Sequence, residues 1–372
     1  MTETRTPPAR ETGPAGGEPV LSVRDLTVAF PSEYRTVHAV DGVSFDLARG
    51  EVLALVGESG CGKSVTSMAT MGLLPPTARI GGSIRLNGRE LVGAPEKELQ
   101  KIRGKDLAMI FQEPMTSLNP VLTIGRQIGE VIRRHQGLGR KEAKARAVEL
   151  LALVGIPAPH RRVDEYPHQL SGGMRQRVMI AIAVACDPSV LIADEPTTAL
   201  DVTVQAGILD VLQSLRDRLG TAIVLVTHDL GVVADAADRV LVMYAGRPAE
   251  QAPVHDLFAG ARHPYSRGLL GAVLRPGGEG KRRLPEIPGM VPNLDTRPDA
   301  CTFAPRCARA DDTCTGKRPG FTPVAPPVGL SDGLSDGTDA SHRAACWHPF
   351  AADETSTPVP AGAARPDQET GQ

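Results

Sequence analysis

No stretch of about 18 consecutive apolar residues occurs in the 372-residue chain, so no helix is expected to cross a membrane. Residues 1–17 lack an apolar segment and do not read as a secretory signal. Excess charge of either sign is missing too: 41 Lys and Arg stand against 43 Asp and Glu, a net −2. That argues against a protein that holds nucleic acid by neutralising phosphates. Cysteine is sparse, at six residues, which is no disulfide framework. A cytoplasmic protein without membrane spans is the expectation that remains. Hydrophobic residues make up 41% of the chain, enough for a packed core, and the length suggests two or three domains.

Residues 1–19 are rich in Pro, Gly, Thr and charge and read as a disordered lead-in. Alternating patterns predict strands over 21–30 and 37–47, with a turn at Gly50–Glu51. The short apolar run 51–56 ends in glycines followed by a helical pattern. The stretch 96–168 changes character. Ala143, Ala147, Leu150, Leu151 and Val154 recur on one helical face, and Gly155 and Pro157 stop it. A mostly helical insert at about 96–185 follows from this. From Ser189 apolar runs return at 190–193, 222–227 and 239–244, separated by helical patterns. The expected fold is therefore α/β, a parallel sheet with crossover helices. After about residue 265 prolines multiply, and four cysteines fall within 301–346. The repeat at 329–337 reads as a flexible loop and 351–372 as a disordered tail.

Gly57, Glu58, Ser59, Gly60, Cys61, Gly62, Lys63 and Ser64 fit GxxxxGK[ST] without a mismatch, between a buried strand and a helix. Glycines let backbone N–H groups curl around phosphate oxygens, and the helix start adds partial positive charge. Lys63 can reach the β- and γ-phosphates and Ser64 can ligate Mg²⁺. The run 189–193 then carries Asp194 and Glu195 to a strand end. Asp194 is expected to hold Mg²⁺, directly or through water, and Glu195 to polarise the attacking water. Two adjacent acids there would repel without a cation. His228 follows another apolar strand, and parallel topology would bring it to the same edge. A nucleoside triphosphatase of the P-loop class is implied.

Leu170, Ser171, Gly172, Gly173, Met174, Arg175 and Gln176 resemble the signature motif of ATP-binding cassette (ABC) ATPases. Ser171 suits an N-cap, and Met174, Val178, Ala181, Ile182 and Ala185 form one apolar face behind it. The resemblance implies that this helix start is completed by ATP on a partner subunit, in a head-to-tail dimer. By the same resemblance Gln112 is the glutamine that senses Mg²⁺ and the membrane partner. Asp201 belongs to the loop that crosses the dimer interface, and His228 is the switch histidine. Phe30 and Tyr34 are the two candidates for stacking on adenine.

The finer resemblance is to ATPase subunits of oligopeptide, dipeptide and nickel importers. It rests on 110–120, on Tyr166, Pro167, His168 and Gln169, on 193–203, and on His263, Pro264, Tyr265 and Ser266. It spans about 21–350 and implies an ABC ATPase domain over 20–265 with a C-terminal extension over 266–350. The implied activity is ATP hydrolysis coupled to peptide uptake, with nickel or another small solute, or a soluble ABC ATPase without transport, as alternatives. Implied partners are a second ATPase subunit, expected to be a paralogue, two integral membrane permeases and an extracytoplasmic binding protein. Implied placement is the cytoplasmic face of the membrane.

Cys301, Cys307, Cys314 and Cys346 are spaced C-x5-C-x6-C-x31-C. In a cytoplasmic setting four thiolates suggest a soft metal. The spacing is too wide for the paired CxxC units of common zinc sites. Iron–sulfur, zinc and free thiols all remain open on the residues alone; the resemblance implies a [4Fe–4S] cluster. Cys186, at the end of an apolar helical run, reads as a small core residue. Cys61, near a helix start, has a position that would favour thiolate, in which case its alkylation would block ATP binding; the other reading is a cysteine simply tolerated at a variable loop position.

Overall fold

The computed structural model describes residues 18–112, 117–198, 201–272, 287–295, 298–324 and 341–351. The readings for 1–17, 329–337 and 352–372 lie outside the described residues.

Twelve strands are described: β1 Leu21–Pro31, β2 Thr36–Leu47, β3 Val52–Val56, β4 Arg79–Leu86, β5 Arg89–Glu90, β6 Leu107–Ile110, β7 Val190–Asp194, β8 Ala222–Val226, β9 Arg239–Tyr244, β10 Arg247–Pro253, β11 Thr322–Pro323 and β12 Arg343–Ala344. They form two sheets. The smaller is antiparallel, in the order β2-β1-β4-β5. The larger runs β11-β12-β10-β9-β3-β8-β7-β6.

Five strands of the larger sheet, β9, β3, β8, β7 and β6, are mutually parallel. Every residue of β3, β7 and β8 is buried. Apolar layers on both faces explain why these strands read as unbroken hydrophobic runs rather than as alternations. Register places Leu55 opposite Val226 and Asp194 opposite Val226, so β3, β8 and β7 end at one level. Whatever follows each strand therefore meets at one edge.

The stretch 96–185, expected as helical, contains one strand of the main sheet. Leu107–Ile110 is buried throughout and pairs with β7. Four apolar residues are too few to distinguish a buried strand from a helix turn by pattern. Strands β4 and β5 also escaped sequence reading, because Arg79–Leu86 is mostly half-exposed and does not alternate cleanly. Beyond β6 the described part of the insert is mostly helical. In the helix Ile124–Gln136, Ile124, Ile128 and Ile132 are buried at four-residue spacing. The helix Arg140–Leu153 buries Ala143, Ala147, Leu150 and Leu151.

The segment after 265 continues the main sheet: β12 pairs with β10, Ala344 opposite Glu250. The junction is fastened by a buried polar cluster. The Glu250 carboxylate accepts backbone N–H groups of Arg262 and His263 at 2.6 and 2.9 Å and meets His342 Nε2 at 2.7 Å. Burial favours neutral Glu250, but these donors offset it and hold the carboxyl below its ordinary range. His263 Nδ1 accepts from the Tyr265 N–H at 3.0 Å, which requires an unprotonated nitrogen. Burial pushes His263 down to about 4.

Both groups act in the same direction with pH. The His263 contribution is complete above pH 6.5 and is lost as the unfolded chain alone takes up the proton, down to about 4. Glu250, with its folded pKa depressed, adds a loss at the acid end of that window. Acidification from pH 7 to 5 is expected to lower unfolding free energy by about 2 kcal/mol, measured by urea midpoints. In His263→Asn, whose amide oxygen can still accept from Tyr265, this pH dependence should flatten. An unchanged midpoint between pH 7 and 5 in the unsubstituted protein would contradict it.

Candidate functional site

β3 leads into the loop 57–62, and the helix Lys63–Thr70 follows directly. The path needs glycine at two places for lack of room. A Cβ on Gly57 would stand 2.2 Å from the Met243 carbonyl oxygen, and one on Gly62 2.4 Å from that of Ala39. Their φ angles, 151° and 100°, are also ones that side chains resist. No side chain caps the helix at Gly62, so its first N–H groups are available to an anion. Ser59, Gly60 and Ser64 are exposed, whereas Cys61 and Lys63 are buried. Lys63 Nζ donates to the carbonyls of Gly57 and Glu58 at 2.8 and 3.1 Å, folding the loop around its own ammonium group.

Cys61 fits a tolerated loop cysteine rather than a reactive thiolate. Burial raises its thiol pKa, and the Lys63 ammonium 3.6 Å from Sγ lowers it only in part. Desolvation outweighs the helix-start argument, so the thiolate is not favoured and the side chain faces the core rather than solvent. Cys186 is half-buried rather than a core residue.

Ser64 Oγ donates to Asp194 Oδ1 at 3.1 Å, joining the helix start to the end of β7. Asp194 is buried, and its pKa is raised first by that burial and further by neighbouring Glu195. A hydroxyl and a carboxylate at this separation, with negative charge crowded beside them, suit a hard divalent cation. The residues present thus fit Mg²⁺.

Glu195 has φ 47°, a left-handed conformation unusual for a residue with a side chain. Its amide is held by the Val226 carbonyl at 2.9 Å. The carboxylate receives Gln112 Nε2 at 2.9 Å and Thr198 Oγ1 at 2.8 Å, and stands 3.3 Å from His228 Nδ1. Burial would raise its pKa, but the Thr198 and His228 contacts overcome that and leave it below the ordinary value. Glu195 is therefore ionised at neutral pH. Thr198, within the 193–203 stretch, carries no expected site role from sequence; its position three residues after Glu195 is the available signal.

Ser171, Gly172 and Gly173 open the helix Gly172–Ala183, with Ser171 Oγ accepting from the Met174 N–H at 3.4 Å. Val178, Ala181 and Ala185 are buried behind it, and Met174 and Ile182 partly so. Gln176 Nε2 donates to the Pro196 carbonyl at 2.8 Å, tying this helix to the segment after Glu195. Asp201 caps the helix Val202–Leu219 through the Val204 N–H. Ala199 and Leu200 before it lie outside the described residues. Phe30 is half-buried against the smaller sheet's core, and Tyr34 is 94% exposed.

Cys301, Cys307, Cys314 and Cys346 line one small cavity, with Phe303, Trp347 and His348 on its wall. All four are free thiols. Burial is the first cause raising each pKa, Cys346 to about 12, and Cys346 is raised further by proximity to the other three. Residues 45 positions apart in sequence thus converge. Asp311, Cys314 and His348 also place one ligand atom each within 4.8 Å of one another. That trio offers one sulfur, one nitrogen and one oxygen.

Comparison with known proteins places the chain. Residues 40–198 match the model for ABC transporters, and 249–314 that for the oligopeptide/dipeptide transporter C-terminal region. It is 50% identical over 330 residues to the "Probable peptide ABC transporter ATP-binding protein y4tR" of Sinorhizobium fredii, covering 88% of this chain and 94% of that one. It is 51% identical over 307 residues to the dipeptide transport ATP-binding protein DppD of Bacillus subtilis, covering 82% and 91%. Among solved structures, the dimeric ATP-binding cassette MJ0796 bound to ADP and Pi aligns with a TM-score of 0.57 at 28% identity, over 63% of this chain and 98% of that one.

Proposed function

Because the chain belongs to the peptide ABC transporter ATP-binding proteins, we propose that it is the ATP-hydrolysing subunit of a peptide importer, bound peripherally to its membrane partners. The observation carrying this is the Glu195 carboxylate, held by Gln112, Thr198 and His228 beside the Ser64–Asp194 pair, with β8 lying between its strand and the one that leads to Lys63. These groups come from separate segments and serve no common core.

In this reading Lys63 and the loop N–H groups bind the triphosphate. Ser64 and Asp194 would hold Mg²⁺, with Gln112 beside it; the ion supplies charge neutralisation at the phosphates. Glu195 orients the attacking water and accepts its hydrogen bond, and His228 stands where it can meet the terminal phosphate. Ser171 and Gly172 present an exposed helix start, with Gly173 closely packed on Val204, that a second subunit's nucleotide would fill. ATP then drives closure because only the closed pair completes both sites. The partner is expected to be a paralogue. Two permeases, contacted through the insert around Gln112, and a peptide-binding protein complete the assembly. Among the described residues no helix is long and apolar enough to cross a membrane, in keeping with separate permease subunits.

The four converging cysteines support a [4Fe–4S] cluster as resident group, with Cys301, Cys307, Cys314 and Cys346 as its ligands. Such a group supplies a rigid crosslink or a redox centre.

The test is reconstitution of the chain, purified without oxygen, with its permeases and candidate binding proteins. Peptide-loaded binding protein should stimulate ATP hydrolysis, and the preparation should show the visible absorption of an iron–sulfur cluster. Stimulation by nickel or another solute instead of peptides would refute peptide uptake. A colourless preparation containing zinc, or no metal, would refute the cluster.

A further inference from the structure

The phosphate loop carries a carboxylate of its own. Glu58 follows Gly57 directly, and its carbonyl is 3.1 Å from the Lys63 ammonium that meets the triphosphate. A free anion at that point would oppose a ligand of the same sign. Its counter-charge comes from 248 residues downstream. Both Nη atoms of Arg306 donate to the Glu58 carboxylate, at 2.7 and 3.1 Å, as a two-pronged fork.

The guanidinium has little freedom to do anything else. Its side chain is 4% exposed, against 28% for Glu58. Nε donates to the Pro288 carbonyl at 2.8 Å and Nη2 to that of Ile287 at 3.1 Å, while the Tyr244 hydroxyl lies 3.3 Å from Nη1. A second tie runs from the same segment. The Tyr265 hydroxyl accepts the Glu58 backbone N–H at 2.8 Å, and the Phe303 ring packs 5.5 Å from that of Tyr265. Arg306 ends the short turn Ala304–Arg306, between Cys301 and Cys307. The cysteine-bearing turn and the phosphate loop are therefore joined through one residue, Glu58.

We propose that Arg306 is a positioning residue of the phosphate loop: it neutralises and fixes Glu58, so that the loop's backbone donors and Lys63 face a nucleoside triphosphate without an opposing carboxylate. The effect grows with the number of phosphates, since it is a charge effect on the ligand. This inference rests on the reading of the loop as an ATP site.

The experiment is equilibrium binding of ATP and ADP to the full chain and to Arg306→Ala, Arg306→Lys and the double variant Arg306→Ala/Glu58→Gln. Arg306→Ala should weaken ATP binding roughly 10- to 100-fold, as removal of one partner of a largely buried ion pair does, and ADP less. Lysine should recover part of the loss. Glu58→Gln in the Arg306→Ala background should restore much of the ATP affinity, because it removes the orphaned charge. Unchanged affinity in Arg306→Ala overturns the proposal. So does a double variant as weak as the single one, which would make Arg306 a packing residue only. Failure of the unsubstituted chain to bind ATP would overturn the nucleotide reading itself, a separate result.

Discussion

Glu195→Gln should still bind ATP but hydrolyse it about 10²–10⁴ times more slowly, the usual cost of losing a positioned base. Several observations concentrate the effect on this side chain. Its backbone is held at φ 47°, a conformation retained only where surrounding structure enforces it. Its carboxylate is fixed by donors from three segments: Gln112 after β6, Thr198 after β7 and His228 after β8. Its lowered pKa keeps it ionised at pH 7, ready to accept a hydrogen bond from water. Glutamine preserves the shape while removing the charge. With hydrolysis stalled, the closed pair should accumulate. The measurement is single-turnover hydrolysis beside size-exclusion chromatography in ATP. Hydrolysis at the unsubstituted rate would mean that another group serves as base.

Lys63→Ala is expected to fail one step earlier, at binding. The ammonium is buried and held by two carbonyls, so it is pre-positioned and loses little freedom when phosphate arrives. Charge-assisted bonds of this type are worth about 1.5–3 kcal/mol, so ATP affinity should drop by roughly 10- to 100-fold. Lys63→Arg should not rescue it, because the larger planar guanidinium has no room inside the loop. Titration with ATP by calorimetry separates this outcome from a defect in hydrolysis. Undiminished affinity in Lys63→Ala would remove the lysine from the site.

Much of this site was legible before the fold was known, and for a local reason. The phosphate loop, the adjacent acids of β7 and the signature turn are contiguous, and each draws its chemistry from neighbours in sequence: a strand, a turn and a helix start. Periodicity placed the buried strands because parallel strands covered on both faces are apolar throughout. The same logic failed where burial was partial or the run short. Arg79–Leu86 lacked alternation, and Leu107–Ile110 hid inside a helical stretch. At Cys61 local sequence leaves two readings open, because a helix start argues for thiolate while the depth of burial that decides against it is a property of the packed loop.

The sequence by itself determined the chemistry on offer: a triphosphate loop, a pair of acids, a histidine, a signature helix and four thiols. Each of these depends on residue type and short spacing. Tertiary structure alone decided which of them cooperate. It set Gln112, Thr198 and His228 on one carboxylate, drew Cys346 to three distant thiols and brought Arg306 onto Glu58. Such pairings arise from closing long loops between sheet edges, and no local pattern encodes the partner at the far end.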